Sequence, residues 1–247
     1  MTGKQWLRNS ISIWSFPKTR SDKSYSHPAV FPEALVSQLI GCFLSGTGKT
    51  VLDPFMGTGT TLAVACKHGH CAVGFELYET YIDIAAERLT GFPDHVIYGT
   101  DATQVVDFVK PLTIDMVITS PPYWNILNRR RTADNGATRP YGNNVDDIGN
   151  TESYESFLKA FADVMNGVYR VMKHGAFCVV NVMDIRLKNH LYTLHVDTMT
   201  ELKEIGFKLD DIVIWDRRSD YNNLRPLGYP STFRINRVHE YLLIFQK

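Results

Sequence analysis

Two short strings in this 247-residue chain have the residue types and spacing that could do chemistry. The first, Asp53-Pro54-Phe55-Met56-Gly57-Thr58-Gly59-Thr60-Thr61, lies where a strand becomes a helix. Glycines there let the backbone approach a ligand closely, and the helix N-terminus presents free N–H donors. Three kinds of turn compete for it. A dinucleotide fingerprint needs a third glycine at position 62, which is Leu62. A phosphate loop around Gly48-Lys49-Thr50 needs glycine at position 43, which is Phe43, and has to follow a strand rather than precede one. A tight turn without a ligand explains the glycines but not the whole string. The second string, Thr119-Ser120-Pro121-Pro122-Tyr123-Trp124, follows another apolar strand. Its prolines fix φ and preorganise the Pro121 carbonyl beside the Ser120 hydroxyl, with an aromatic ring following. The same run also suits a rigid turn or a polyproline ligand for a partner.

The elements that must position these strings follow from periodicity. Residues 32–44 have apolar positions at helical spacing, with Pro32 suited to a first turn. Strands are expected at 50–53, 71–76, 95–99 and 114–120, separated by helices at 60–69 (closed by Gly69), 78–89 and a short stretch near 102–109. Residues 124–150 are polar and glycine-bearing, which predicts a long loop, and long loops in compact domains are functional or disordered. A helix at about 151–172, a strand at 176–183, a helix at 192–205 and strands at 208–215 and 238–246 complete the chain. Strands alternating with helices predict one α/β domain over 1–247, a doubly wound, mostly parallel, Rossmann-like sheet with an antiparallel strand pair at one edge. Ligands of such sheets bind beyond the carboxyl ends of the strands, where both strings lie.

The first string resembles the cofactor motif of the S-adenosylmethionine-dependent DNA amino-methyltransferases of the N4-cytosine/N6-adenine type, whose usual form is D-P-F-x-G-S-G-T-T. The resemblance implies that Asp53, Pro54, Phe55, Gly57, Gly59, Thr60 and Thr61 surround the methionine part of S-adenosylmethionine. Glu76, ending the second strand, matches the acidic residue that holds the ribose hydroxyls; a carboxylate can accept two such bonds. Asp101 and Ala102 match the element that meets the adenine, although Asp101 alone reads equally well as a helix N-cap. His27, Pro28 and Phe31 lie in a stretch, SHPAVFP, similar to the one that closes over the methionine end. The second string resembles the family's Asp/Asn/Ser-Pro-Pro-Tyr, making Ser120, Pro121, Pro122 and Tyr123 the catalytic residues. An exocyclic base amine is a poor nucleophile because its lone pair is delocalised into the ring. Acceptors at Ser120 Oγ and the Pro121 carbonyl would favour a pyramidal amine aimed at the methyl group. The Tyr123 ring would stack the base, which must leave the duplex or already be single-stranded. Serine at 120 implies cytosine N4, whereas Asp or Asn goes mostly with adenine N6.

The resemblance extends to Tyr169–Asp184 and, near the end, to WDRR (215–218), GYP (228–230) and NRVHEY (236–241), so it covers about 11–247. Larger relatives carry a discrete recognition domain, for which this chain has no room. Recognition would fall to 124–150 and 216–237, with Trp124, Arg129, Arg130, Arg131, Arg217, Arg218, Arg225, Arg234 and Arg237 contacting nucleic acid; each arginine is otherwise ordinary surface charge. DNA is the partner this implies, in a restriction–modification setting; RNA, adenine N6 as target and a non-catalytic nucleic-acid-binding protein are the alternatives. A homodimer is also open.

Composition is ordinary for a soluble globular protein: 44% hydrophobic, 21% charged, with 26 basic and 26 acidic residues. That balance neither suggests nor excludes nucleic acid, since affinity depends on where the charge lies. No apolar run reaches the roughly 18 residues of a membrane span, and the N-terminus lacks a secretory core, so a cytoplasmic protein is expected. Cys42, Cys66, Cys71 and Cys178 lack metal-ligand spacing, which predicts no metal; Cys42, Cys66 and Cys178 sit in apolar stretches and read as reduced core thiols.

Overall fold

The computed structural model describes residues 2–17, 19, 22, 31–128, 138, 140–187, 189–221, 224 and 226–247. Its helices are α1 (Gly3–Asn9), α2 (Glu33–Phe43), α3 (Thr60–Lys67), α4 (Glu79–Arg88), α5 (Val105–Phe108), α6 (Tyr154–Val171) and α7 (Leu194–Ile205). Its strands are β1 (Ile13–Ser15), β2 (Thr50–Asp53), β3 (Cys71–Phe75), β4 (His95–Tyr98), β5 (Ile114–Thr119), β6 (Met172–Val182), β7 (Ile185–Leu187), β8 (His190–Tyr192), β9 (Lys208–Asp216) and β10 (His239–Gln246). Eight strands form one sheet in the order β1-β9-β10-β6-β5-β2-β3-β4. Neighbours are parallel from β6 to β4, and β10 runs antiparallel to both β6 and β9. The doubly wound, mostly parallel architecture is therefore present.

The antiparallel pair is not the edge. β1 pairs in parallel with β9, and Ile214 N–H donates to the Ser12 carbonyl, so a three-residue strand from the N-terminus covers it. Neither β1 nor the β7–β8 hairpin is legible from periodicity, because three residues are too few to show alternation.

The sheet is buried on both faces, so its strands read as continuous apolar runs. Period two sorts them: Met116 and Ile118 join Leu35, Leu39, Leu62 and Leu89 on one side, while Val117 joins Phe157, Phe161 and Val168 on the other. The same sorting sends Leu242 and Ile244 one way and Leu243 and Phe245 the other. Helix α6 begins where Ser153 accepts from the Ser156 N–H, and its buried residues recur every three to four positions through Tyr154, Phe157, Phe161, Val164 and Val168. Truncating Phe157 or Phe161 to alanine costs about 3–5 kcal/mol at such sites.

Cys178 is buried, while Cys42, Cys66 and Cys71 are only partly so; all four are free thiols. No helix among the described residues is long and apolar enough to cross a membrane.

Candidate active site

The two strings meet at the carboxyl ends of adjacent parallel strands. β2 pairs with β5, and the Thr119 hydroxyl at the end of β5 donates to Asp53 Oδ1 at the end of β2, 2.7 Å away. Ser120 and Pro122 then line the same cleft as Asp53, Pro54, Phe55, Gly57, Thr60 and Thr61. Glu76, Asp101, Ala102 and Phe31 line it too, so residues from five separate stretches of sequence converge. His27 and Pro28 lie outside the described residues.

Gly59 has a different place. It caps α3 with φ of 73°, and an added Cβ would sit 3.0 Å from Ala85 Cβ on α4. Its glycine is needed for turn conformation and helix packing, not for lining the cleft. Asp101 accepts from the Thr103 N–H, so it is an N-cap as well as a lining residue.

The cleft's charge is one-sided. Asp53, Glu76, Asp101, Asp146 and Asp147 line it, and no lysine, arginine or histidine does so among the described residues. Such a lining disfavours phosphates and suits a cation, which argues against a dinucleotide at the glycine turn, and Gly48, Lys49 and Thr50 do not line the cleft. Burial pushes the Asp53 carboxyl up to about 6, against opposing hydrogen bonds that include those from the Thr119 hydroxyl and the Phe55 N–H. Burial likewise pushes Glu76 up to about 7, helped by the charge of Asp147, although N–H groups of Tyr78, Leu77 and Gly57 donate to it. A carboxylate offers roughly four acceptor sites, so these three bonds leave Glu76 capacity for a ligand hydroxyl.

One wall of the cleft comes from the end of the expected recognition loop. Tyr141, Asp146, Asp147 and Ile148 line it, and Tyr78 donates to Asp147 Oδ2 at 2.7 Å. This end of 124–150 is thus a wall of the cleft. Sequence reasoning missed these residues along with Tyr78 and Thr100; nothing in their local pattern separates them from solvated loop.

Behind the Ser120-Pro-Pro-Tyr string lies a buried polar network. Tyr123 does not line the cleft; its hydroxyl donates to Glu240 Oε2 at 2.7 Å, accepts from Asn181 Nδ2 at 2.7 Å, and lies 3.1 Å from Ser120 Oγ. Asn181 also donates to Glu240, and Arg217 caps the other carboxylate oxygen. Burial and the Glu240 charge hold the Tyr123 phenol well above its ordinary pKa, so it stays neutral. Asn181 near the end of β6 and Glu240 near the start of β10 are brought together only by antiparallel pairing of those strands.

Several residues assigned to nucleic acid have other partners. Trp124 is buried with φ of 46°, its indole N–H donating to the Thr151 carbonyl and its ring against Tyr154 and Tyr192. That ring is an anchor for the turn and is not presented to DNA. Arg217 is committed to Glu240 and Asp220 over the Trp215 ring, which corrects its assignment as a phosphate contact. Burial would lower the Arg217 pKa, and the charge of Glu240 together with Tyr221 and Asp220 more than offsets this. Arg218 is largely exposed and pairs with Asp216. Arg234 donates to Asn189 at 3.1 Å, and Arg237 is half-buried. Arg129, Arg130, Arg131 and Arg225 lie outside the described residues. Among the described residues no group of three His, Cys, Asp or Glu is placed to hold a metal.

Comparison with known proteins adds the following. A DNA methylase family model matches residues 2–87 and 114–247. Type II methyltransferase M.ScaI of Streptomyces caespitosus is 42% identical over 88 residues, which is 33% of this chain and 29% of that protein. DNA adenine methyltransferase YhdJ of Escherichia coli K12 is 40% identical over 80 residues, 32% of this chain and 27% of that protein. The matched stretch spans under a third of these curated relatives. In fold, the chain resembles a TehB-like SAM-dependent methyltransferase from Corynebacterium glutamicum, with a TM-score of 0.51 over 86% of each chain at 14% identity.

Proposed function

Because this chain belongs to the DNA methylase family, we propose that it transfers a methyl group from S-adenosylmethionine to the N4 amine of cytosine in DNA. The observation that carries the reading is the shared cleft: the hydrogen bond from Thr119 to Asp53 fixes Ser120 beside the acidic cofactor turn. The cofactor fits that lining on charge, since its sulfonium and ammonium are cationic and its adenosine carries no phosphate. Asp53 and the turn Pro54–Gly57 would hold the methionine end, Glu76 the ribose and Asp101 the adenine. When bound, S-adenosylmethionine supplies a methyl group activated by positive sulfur.

The remaining work belongs to the chain. Ser120 Oγ accepts one N–H of the target amine and the Pro121 carbonyl the other, so the amine lone pair is freed from the ring and directed. Tyr123, locked by Glu240 and Asn181, holds Ser120 Oγ in place. Rate comes mainly from fixing two reactants in line, a contribution that reaches about 7–11 kcal/mol in favourable cases.

Serine at 120 supports cytosine, and the likeness to an adenine methyltransferase supports adenine N6 as the second reading. The type II name of the Streptomyces relative supports a restriction–modification setting. Digestion of DNA methylated by the protein and mass identification of the nucleosides tests the target. N4-methylcytosine is expected; N6-methyladenine moves the reading to adenine. No methyl transfer by cofactor-loaded protein removes the enzyme reading.

Ionisation of the cleft yields a pH prediction. Asp53 and Glu76 are raised from about 3.8 and 4.5 to about 6 and 7, so the folded state binds their protons more tightly than the unfolded chain. The stability they lend is present below about pH 4 and is lost as pH rises through about 6 to 7. A cationic cofactor prefers both carboxyls ionised, so its affinity should rise roughly tenfold between about pH 5.5 and 8. Isothermal titration at several pH values checks this, and a flat profile contradicts it.

A further inference from the structure

We propose that Arg186 on the β7–β8 hairpin joins Arg234 and Arg237 in a clamp for a backbone phosphate of the DNA strand flanking the target base. This rests on the reading of DNA as substrate. The placement comes from topology. β7 follows the carboxyl end of β6, and residues 234–237 precede the start of β10. β6 and β10 are antiparallel neighbours with Val182 opposite Tyr241, so both segments emerge at one edge of the sheet. β5 lies on the other side of β6, which puts Ser120 at that same edge.

Arg234 and Arg237 lie within electrostatic reach of Arg186. Arg234 reaches the hairpin through its hydrogen bond to Asn189. Among the described residues none of the three forms an ion pair, and Arg186 Nε is buried with no hydrogen-bond partner. Burial, then the charges of Arg237 and Arg234, depress the Arg186 pKa, so both cations act on it. Like charges gathered beside an unsatisfied donor are unfavourable unless an anion with several acceptor oxygens completes the group. The cofactor cleft cannot be their target, since its own lining is acidic. A phosphate held there would sit in register with the chemistry. Tyr192 of the hairpin packs on the buried Trp124 ring at 5.3 Å and on Tyr154 at 4.6 Å, tying the hairpin to the catalytic turn.

The test uses the full chain with Arg186→Gln and Arg186→Lys. Duplex DNA affinity is measured across a range of salt concentrations, with cofactor affinity measured in parallel. Non-specific duplex suffices, because binding to it is almost wholly phosphate-driven. Arg186→Gln is expected to weaken DNA binding about three- to tenfold near 0.1 M salt and to reduce the slope of log K against log salt by about one. Cofactor affinity should be unchanged, and Arg186→Lys should restore most of the slope. An unchanged slope in Arg186→Gln overturns the proposal, as does a loss of DNA affinity matched by loss of cofactor affinity, which would mark a folding defect. Inorganic phosphate that binds the wild type tightly while DNA affinity ignores Arg186 would reassign the cluster to free phosphate. A wild-type protein that binds no duplex at any salt removes the DNA reading itself, a result distinct from failure of the clamp alone.

Discussion

Ser120→Ala is expected to lower turnover about 10²–10³-fold while cofactor affinity stays within about threefold. The hydroxyl is one of two acceptors that the proposed mechanism places on the target amine, and it contacts no carboxylate of the cofactor turn. Its partners are the Tyr123 hydroxyl at 3.1 Å and the Asn181 side chain at 3.4 Å, both in the network behind it. Glu76→Ala should do the reverse, weakening cofactor binding about tenfold or more while leaving the acceptor pair intact. Single-turnover rates with saturating cofactor, beside cofactor titrations, separate the two. Equal losses of cofactor affinity in both variants contradict the division of roles.

Glu240→Ala should be the most destabilising single change in the site, at about 3–5 kcal/mol. Glu240 is 3% exposed and takes hydrogen bonds from Tyr123, Asn181 and Arg217. Deleting it strands a largely buried guanidinium and two donors at once, and losing a partner costs more than the bond itself contributes. Glu240→Gln keeps an acceptor for Tyr123 but removes the charge opposite Arg217, so it should cost less. Denaturant unfolding of the three proteins orders them. Alanine and wild-type proteins of equal stability would show that the network does not hold the fold. Turnover in Glu240→Gln should fall more than cofactor affinity, because Tyr123 no longer fixes Ser120 as firmly.

Much of the fold was legible because the sheet is apolar on both faces and its helices show clear period. The strands at 50–53, 71–75 and 114–119 fall within the expected boundaries, and α6 within its expected helix. The short β1 strand escaped because its pairing comes from residues distant in sequence, β9 offering it an edge, and the β7–β8 hairpin because its three-residue strands are too short to show alternation. The same limit governed Trp124. Trp124 after Pro-Pro-Tyr reads as a nucleic-acid contact until Tyr154 and Tyr192 close around it.

The opening strings therefore divide cleanly. The residue sequence alone determined the chemistry available at the glycine turn and at Ser120-Pro-Pro-Tyr, because glycine freedom, fixed proline φ and carboxylate acceptors are properties of the residues themselves. Only the tertiary structure decided what surrounds them: the acidic wall of Asp146 and Asp147, the lock of Glu240 and Asn181 on Tyr123, and the gathering of Arg186 with Arg234 and Arg237. Those depend on which strands lie side by side. Charge and hydrogen bonding act across a few ångströms of space, so residues more than a hundred positions apart, such as Tyr123 and Glu240, become partners only when the sheet is assembled.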